Sequence, residues 1–212
     1  MKTTKPTTAE ILGKVEIAPA TGKVLVVLGG CGAVGTTFIA GVEALKRGLG
    51  PPFGALTLVQ KIRLGKRDEE RKPYIHELVP LARLEDLVFE AYDIYSDDAY
   101  ASAVKAKVLD KELLDTVSEQ LKSVKPLPAV FDQDFVRQLD DGDNIKTGKS
   151  KMDLAEQLME DIRRLRQKHN PNRMIFLWVG STERHLKRSR SFKNVKAFEQ
   201  GLYDSDHKIA PS

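Results

Sequence analysis

Glycines 30, 32 and 35, in the run Gly29-Gly30-Cys31-Gly32-Ala33-Val34-Gly35-Thr36-Thr37, have the G-x-G-x-x-G spacing of a loop that holds a dinucleotide's pyrophosphate. The first permits a tight turn, the second lets backbone approach phosphate, and the third lets helix and strand pack closely. Unpaired N–H groups at the start of the following helix then attract the anion. The same letters also suit a purely structural strand-to-helix turn. They come within one residue of the phosphate loop G-x-x-x-x-G-K-[ST], but Thr36 stands where that loop needs lysine, so a nucleoside triphosphate would lose a contact to its outer phosphates.

A loop of this kind works only between a buried strand and a helix. Lys23-Val24-Leu25-Val26-Val27-Leu28 reads as the strand. Val34, Phe38, Val42, Leu45 and Leu49 recur at helical spacing, predicting one apolar face that ends at Gly48, Gly50 and Pro51-Pro52. Residues 55 to 60 read as a second strand, but Gln60 and Lys61 stand where such folds place an acid for the ribose hydroxyls. A mixed-sign polar run, 61 to 73, reads as a solvated loop. Val88 to Ile94 reads as a further strand with Asp93 at its far end, followed by Ser96-Asp97-Asp98 as helix-capping chemistry.

Asp110 is placed to cap a helix whose Leu113, Leu114, Val117 and Leu121 share a face, before Lys125-Pro126-Leu127-Pro128 stops it and Ala129-Val130-Phe131 forms a short strand. Ser150 and Asp153 make a capping box for a long helix with Leu154, Leu158, Ile162 and Leu165 inward, ended by Asn170-Pro171. Met174 to Val179 is apolar on both faces, which predicts a central strand of a parallel sheet. Ligands in such sheets lie beyond the strands' carboxyl ends, and Gly180-Ser181-Thr182-Glu183 follows this one; a plain turn with a helix cap accounts for those letters as well. The alternation predicts an α/β fold: a Rossmann-like, doubly wound, mostly parallel sheet.

Composition narrows the classes. The chain has 212 residues, 34 basic against 30 acidic, and a net charge of +4 with the signs mixed along most of its length. A nucleic-acid binder usually shows a basic face interleaved with aromatic platforms, and aromatics are 7% here. Arg184, Lys187, Arg188, Arg190, Lys193 and Lys196 form a basic stretch with one aromatic, Phe192. It reads as a solvated loop, or more mildly as attraction for a phosphorylated ligand, rather than as a nucleic-acid surface. The single cysteine, Cys31, excludes a disulfide framework. Residues 1–22, rich in threonine and lysine, read as a flexible leader, with a single domain over 23–212. No apolar run of membrane-spanning length occurs, so no membrane partner and a cytoplasmic location are expected. His76, His169, His185 and His207 lack metal-ligand spacing, and no metal residue is assigned.

Gly32 to Ala44, then Ile62 to Arg67, then Lys151 to Gln157, then Trp178 to Glu183 together closely resemble inositol-3-phosphate synthase (myo-inositol-1-phosphate synthase) in its bacterial form. The similarity runs from about Lys23 to Ser212. It implies a redox-neutral, NAD-dependent isomerase that converts D-glucose 6-phosphate to 1D-myo-inositol 3-phosphate. In that family, oxidation at C5 of the opened sugar acidifies the C6 protons, the C6 enolate closes on C1 as an aldol, and the hydride is returned.

Carried onto this sequence, the resemblance implies a cofactor site in which Gly30, Cys31, Gly32, Ala33, Val34 and Gly35 form the pyrophosphate loop. Asp93 is the cofactor-contacting acid, Ala129 and Val130 line the adenosine side, and Val179, Gly180, Ser181 and Thr182 face the cofactor after the last strand. Two departures stand out. The family's Gly-Gly-Trp-Asp is Glu90-Ala91-Tyr92-Asp93 here, and Val179 replaces a small polar residue or cysteine. The family's catalytic lysines, sugar-phosphate site and most of its tetramer interface belong to a second half not present in these residues, so no catalytic residue is assigned. By themselves the 212 residues are expected to bind NAD poorly or not at all and to be inactive. The alternative is a truncated, non-catalytic dinucleotide-binding module, and an intact mass of the native product distinguishes the two.

Overall fold

Val24–Gly29 forms the first strand because its side chains are apolar on both faces and both are covered: Leu25, Val27 and Leu28 are wholly buried. Full burial of side chains this size stabilises by about 1.5–3 kcal/mol each. The computed structural model describes residues 21–140 and 142–210. Its elements in chain order are β1 (Val24–Gly29), α1 (Ala33–Lys46), α2 (Leu56–Val59), α3 (Ile75–Leu78), β2 (Leu87–Asp93), α4 (Ala99–Ala106), α5 (Lys111–Thr116), α6 (Ser118–Ser123), β3 (Leu127–Pro128), α7 (Lys151–His169), β4 (Arg173–Trp178) and α8 (Val195–Tyr203).

The strands form one sheet in the order β3-β2-β1-β4, every neighbouring pair parallel. Leu25 and Val27 point to the α7 face, where they pack with Tyr92 and Leu165 and with the half-buried Leu158 and Met174. On the other face α1 lies against the sheet, with Phe38 edge-on to Phe89 at 5.7 Å between ring centres. Helices on both faces of a parallel sheet make the predicted doubly wound α/β architecture. β2 lies on one side of β1 and β4 on the other, so the winding reverses between β1 and β4, the place where such sheets open a crevice.

Several helix ends follow from local chemistry. Ser150 accepts a hydrogen bond from the Asp153 N–H at 3.1 Å, and Asn170, left-handed at φ 43°, closes α7 by donating its N–H to the Arg166 carbonyl. Asp98 caps α4 by accepting from Ala101 N–H at 2.8 Å.

The described residues group into two compact units: 23–50 with 84 onward, and 51–83 with residues 21 and 22. Within the second, Lys61 and Tyr74 form an antiparallel bridge, the Lys61 ammonium lies 4.5 Å over the Tyr74 ring, and Ile62 N–H donates to the Pro73 carbonyl. All but the last two residues of the expected leader lie outside the described residues.

The structure corrects five expectations. Residues 55–60 hold the single helical turn α2, not a strand; a short apolar run carries no period that separates the two. β4 is not central: among the described residues it pairs only with β1, and Ile175, Phe176, Leu177 and Trp178 are all exposed. The apolar face of α1 is rotated, with Gly35, Thr36, Ile39, Ala40, Val42 and Glu43 buried while Val34 and Leu49 are exposed, because the small residues at its start are what meet the strand ends. Asp110 makes no side-chain cap, and the helix it precedes breaks at Val117, although Leu114, Val117 and Leu121 are buried as the spacing predicted. The third strand is Leu127–Pro128, and Ala129 adds only an isolated bridge to Ile145.

Candidate functional site

The turn after β1 is shaped by what lies beside it. Gly30 adopts φ +122°, and a Cβ there would sit 2.9 Å from the Gly180 backbone and the Val179 carbonyl oxygen. A Cβ on Gly35 would collide with the Gly30 carbonyl oxygen, so the first turn of α1 is pressed onto the loop. Gly32, between them, faces open space: nothing lies within 4 Å of where its Cβ would be. The three glycines thus divide into two that permit contact and one that leaves room for a visitor.

No side chain caps the α1 N-terminus at Gly32, and no acid lies in its first turn. Ala33 and Val34 are exposed there. The amides of a long helix therefore start without a side-chain acceptor at the switch point, which is the arrangement that favours an anion.

Because α2 and α3 precede β2, the strand that pairs directly with β1 ends at Asp93, and the acid absent after residue 60 stands here instead. Its carboxylate is already engaged. One oxygen accepts from Cys31 N–H at 2.6 Å and the other from Tyr95 N–H at 3.1 Å. Asp93 thus ties the β1 loop to the β2 loop. Gly30 N–H donating to the Tyr92 carbonyl at 2.9 Å and Val179 N–H donating to the Gly29 carbonyl at 3.0 Å complete the lacing of three strand ends.

These ends open on a cavity of about 510 Å³. Of the sequence-assigned residues, Gly30, Gly32, Asp93, Ala129, Val130, Val179, Gly180 and Ser181 line it. Cys31, Ala33, Val34, Gly35 and Thr182 do not: Cys31 and Gly35 are buried behind the loop, while Ala33, Val34 and Thr182 are exposed beside it. Neither Glu90 nor Ala91 lines the cavity, so their bulk relative to glycine does not narrow it. Glu90 is buried in β2 and accepts from Lys168 at 2.6 Å and meets the His169 ring at 2.5 Å. The Val179 side chain points toward Gly35, filling the angle between loop and helix.

The sequence reading missed the apolar wall of the cavity, to which Tyr95, Phe131, Leu158, Ile162, Phe176 and Trp178 contribute. It also missed an ion pair behind it, Lys146 to Asp161 at 2.7 Å, with both side chains at most 8% exposed. The signal for the second was an acid inside the apolar stripe of α7. The basic stretch after β4 is anchored at its first residue, where Arg184 N–H donates to the Phe135 carbonyl and its guanidinium lies 4.9 Å over the Phe135 ring. Among the described residues no cluster of acids, histidines and cysteine is arranged to hold a metal ion, and no helix is long and apolar enough to cross a membrane.

Burial, then the nearby Asp93 and Asp98 carboxylates, pushes the Cys31 thiol from 9.0 up to about 12. Burial, then the charge of Asp161, also raises Tyr92 above its ordinary 10.0. Both groups favour the neutral form in the fold, so their stabilisation is complete below the unfolded values and is lost as pH rises. Urea midpoints are expected to hold steady to about pH 9 and to fall progressively above it, with Cys31→Ala flattening part of that slope. At neutral pH the thiol is expected to resist alkylation until the chain unfolds.

Comparison with known proteins agrees with this fold. Residues 23–212 match the NAD-binding family described as myo-inositol-1-phosphate synthase. The chain is 37% identical over 201 residues to inositol-3-phosphate synthase 1 of Bacteroides thetaiotaomicron, covering 94% of this chain and 46% of that protein. It is 30% identical over 197 residues to inositol-3-phosphate synthase 1 of Populus euphratica, covering 86% of this chain and 38% of that one. The crystal structure of inositol-3-phosphate synthase from Caenorhabditis elegans superposes with a TM-score of 0.81 at 23% identity, over 92% of this chain and 41% of that chain, and shows the same fold. The chain therefore spans less than half the length of these relatives. Over that span, it belongs to the myo-inositol-1-phosphate synthase family, within its NAD-binding part.

Proposed function

We propose that this chain holds NAD at the β1–α1 loop as the cofactor-binding part of an inositol-3-phosphate synthase acting on D-glucose 6-phosphate. The observation that carries the reading is the start of α1: amides without a side-chain cap beside an open Gly32, at the point where the sheet's winding reverses, above a largely apolar cavity. A pyrophosphate needs such a cradle, and a side chain at residue 32 would fill it.

In this reading the Gly32, Ala33 and Val34 amides take the pyrophosphate. Asp93 fixes the loop's shape through Cys31 N–H instead of leaving both its oxygens to a ribose. Ala129 and Val130 flank the adenosine side, and Val179, Gly180, Ser181 and Thr182 lie on the nicotinamide side of the switch point. NAD bound there supplies reversible hydride removal from a sugar carbon. The chain's own residues position that cofactor. Lysines that stabilise an enolate are assigned to none of these residues. The reading extends to a homotetramer in the cytoplasm, feeding inositol into phospholipid synthesis.

Isothermal calorimetry on the 212-residue chain is expected to show weak, saturable NAD binding, and incubation with NAD and glucose 6-phosphate to yield no inositol phosphate. Absence of any saturable heat would overturn the assignment of NAD binding to these residues on their own, and binding that Gly32→Ala leaves unchanged would overturn the β1–α1 loop as its site. Product formation would overturn the assignment of catalysis to residues outside this chain.

A further inference from the structure

Trp178 ends β4 directly opposite Gly29 in the β1 register. Its indole lies along the backbone of two glycines. A Cβ on Gly29 would be 2.7 Å from the six-membered ring at Cε3, and one on Gly180 would be 3.0 Å from Cζ2. Any larger residue at either position would push the ring away, so the pair leaves a slot in which the ring rests against main chain. Trp178 is nonetheless 57% exposed and forms part of the cavity wall, which for a tryptophan so closely seated means that the side away from the glycines is open.

A flat aromatic group seated against backbone and exposed to a cavity is a surface on which a planar ring stacks. The uncapped start of α1 lies next to Gly29, and the adenosine side is at β2 and β3. A dinucleotide whose phosphates meet α1 therefore reaches β4 with its other ring. Trp178 stands one residue before the Val179-Gly180-Ser181 segment on that flank.

We propose that Trp178 is the stacking platform for the nicotinamide half of the cofactor, held in its slot by Gly29 and Gly180. This rests on the NAD reading above and adds to it the residue that receives the ring. Trp178 is the single tryptophan of the chain, so its emission reports on this one place.

The test titrates the 212-residue chain with NAD, nicotinamide mononucleotide and AMP while following tryptophan emission, excited where the nucleotides do not absorb, and repeats the NAD titration by calorimetry. Saturable quenching by NAD and by nicotinamide mononucleotide, with AMP leaving emission unchanged, is the expected result. Trp178→Ala is expected to weaken NAD binding about tenfold. Trp178→Phe, which keeps a flat ring, is expected to stay within about threefold of the original, and circular dichroism checks that both variants fold. Gly180→Ala is expected to shift the emission of the free protein, because the added methyl displaces the indole.

Calorimetric NAD binding with unchanged emission, quenching by AMP but not by nicotinamide mononucleotide, or undiminished affinity in folded Trp178→Ala each overturns the platform and leaves the cofactor reading standing. Absence of NAD binding in calorimetry overturns both.

Discussion

Replacing Asp161 with alanine is expected to lower the unfolding free energy by about 3–5 kcal/mol, the cost of stranding a buried charge whose partner has been removed. The partner is Lys146, whose ammonium lies 2.7 Å from Asp161 and whose side chain is 8% exposed. Arg164, 2.5 Å from the other carboxylate oxygen, is 64% exposed and stays solvated when Asp161 is lost, so the loss falls on Lys146. A urea melt of the variant should show a much lower midpoint at an unchanged slope. The double replacement Lys146→Met with Asp161→Leu is expected to recover most of the loss, because an apolar pair of similar volume removes both desolvation costs. A single-variant loss below about 1 kcal/mol would show that Lys146 finds water or another acceptor.

Gly30→Ala is expected to cost about 3 kcal/mol, combining left-handed backbone strain of about 1–2 kcal/mol with overpacking of about 1–3 kcal/mol. The overpacking is rigid: the methyl would stand 2.9 Å from main-chain atoms of Gly180 and Val179, which cannot swing aside as a side chain could. The loss should appear in the urea midpoint and in NAD affinity together, since relief requires the loops after β1 and β4 to part. Gly32→Ala supplies the contrast. Nothing lies within 4 Å of its Cβ and its φ is −79°, so stability should change by less than about 0.5 kcal/mol while NAD affinity falls. Equal stability losses in the two variants would contradict the division of labour among the glycines.

The loop and the elements flanking it were legible in the residues because the signals there are local. Three glycines at fixed spacing, a serine before an apolar helical stripe, and an asparagine before a proline each act within one turn of chain, and the structure uses them there; the expected capping box is only half formed, because the Asp153 carboxylate accepts from Lys149 N–H instead of Ser150 N–H. Asp93 was legible as a strand-terminal acid but not as the clamp on Cys31, since that hydrogen bond joins residues 62 apart. The run at 55–60 misled because four apolar residues fit a strand and a helical turn equally well. Within the candidate site, spacing and strand ends gave Gly30, Gly32, Asp93, Gly180 and Ser181, whereas Ala129, Val130 and Val179 came from the resemblance. The cavity's apolar wall was hidden because Phe131, Leu158 and Phe176 look like ordinary core residues until the sheet leaves them uncovered.

β4 was read as central from its composition, and composition reports how much covering a strand needs, not how much the described residues provide. Among the described residues no strand pairs with its outer edge, and its five apolar residues, Met174 to Trp178, include none of the lysine, proline or bulge that commonly blunts such a rim. At the opposite end of the sheet β3 offers only two residues. Growth of this sheet thus has a direction: a further strand pairs beside Ile175 to Trp178 rather than beside β3.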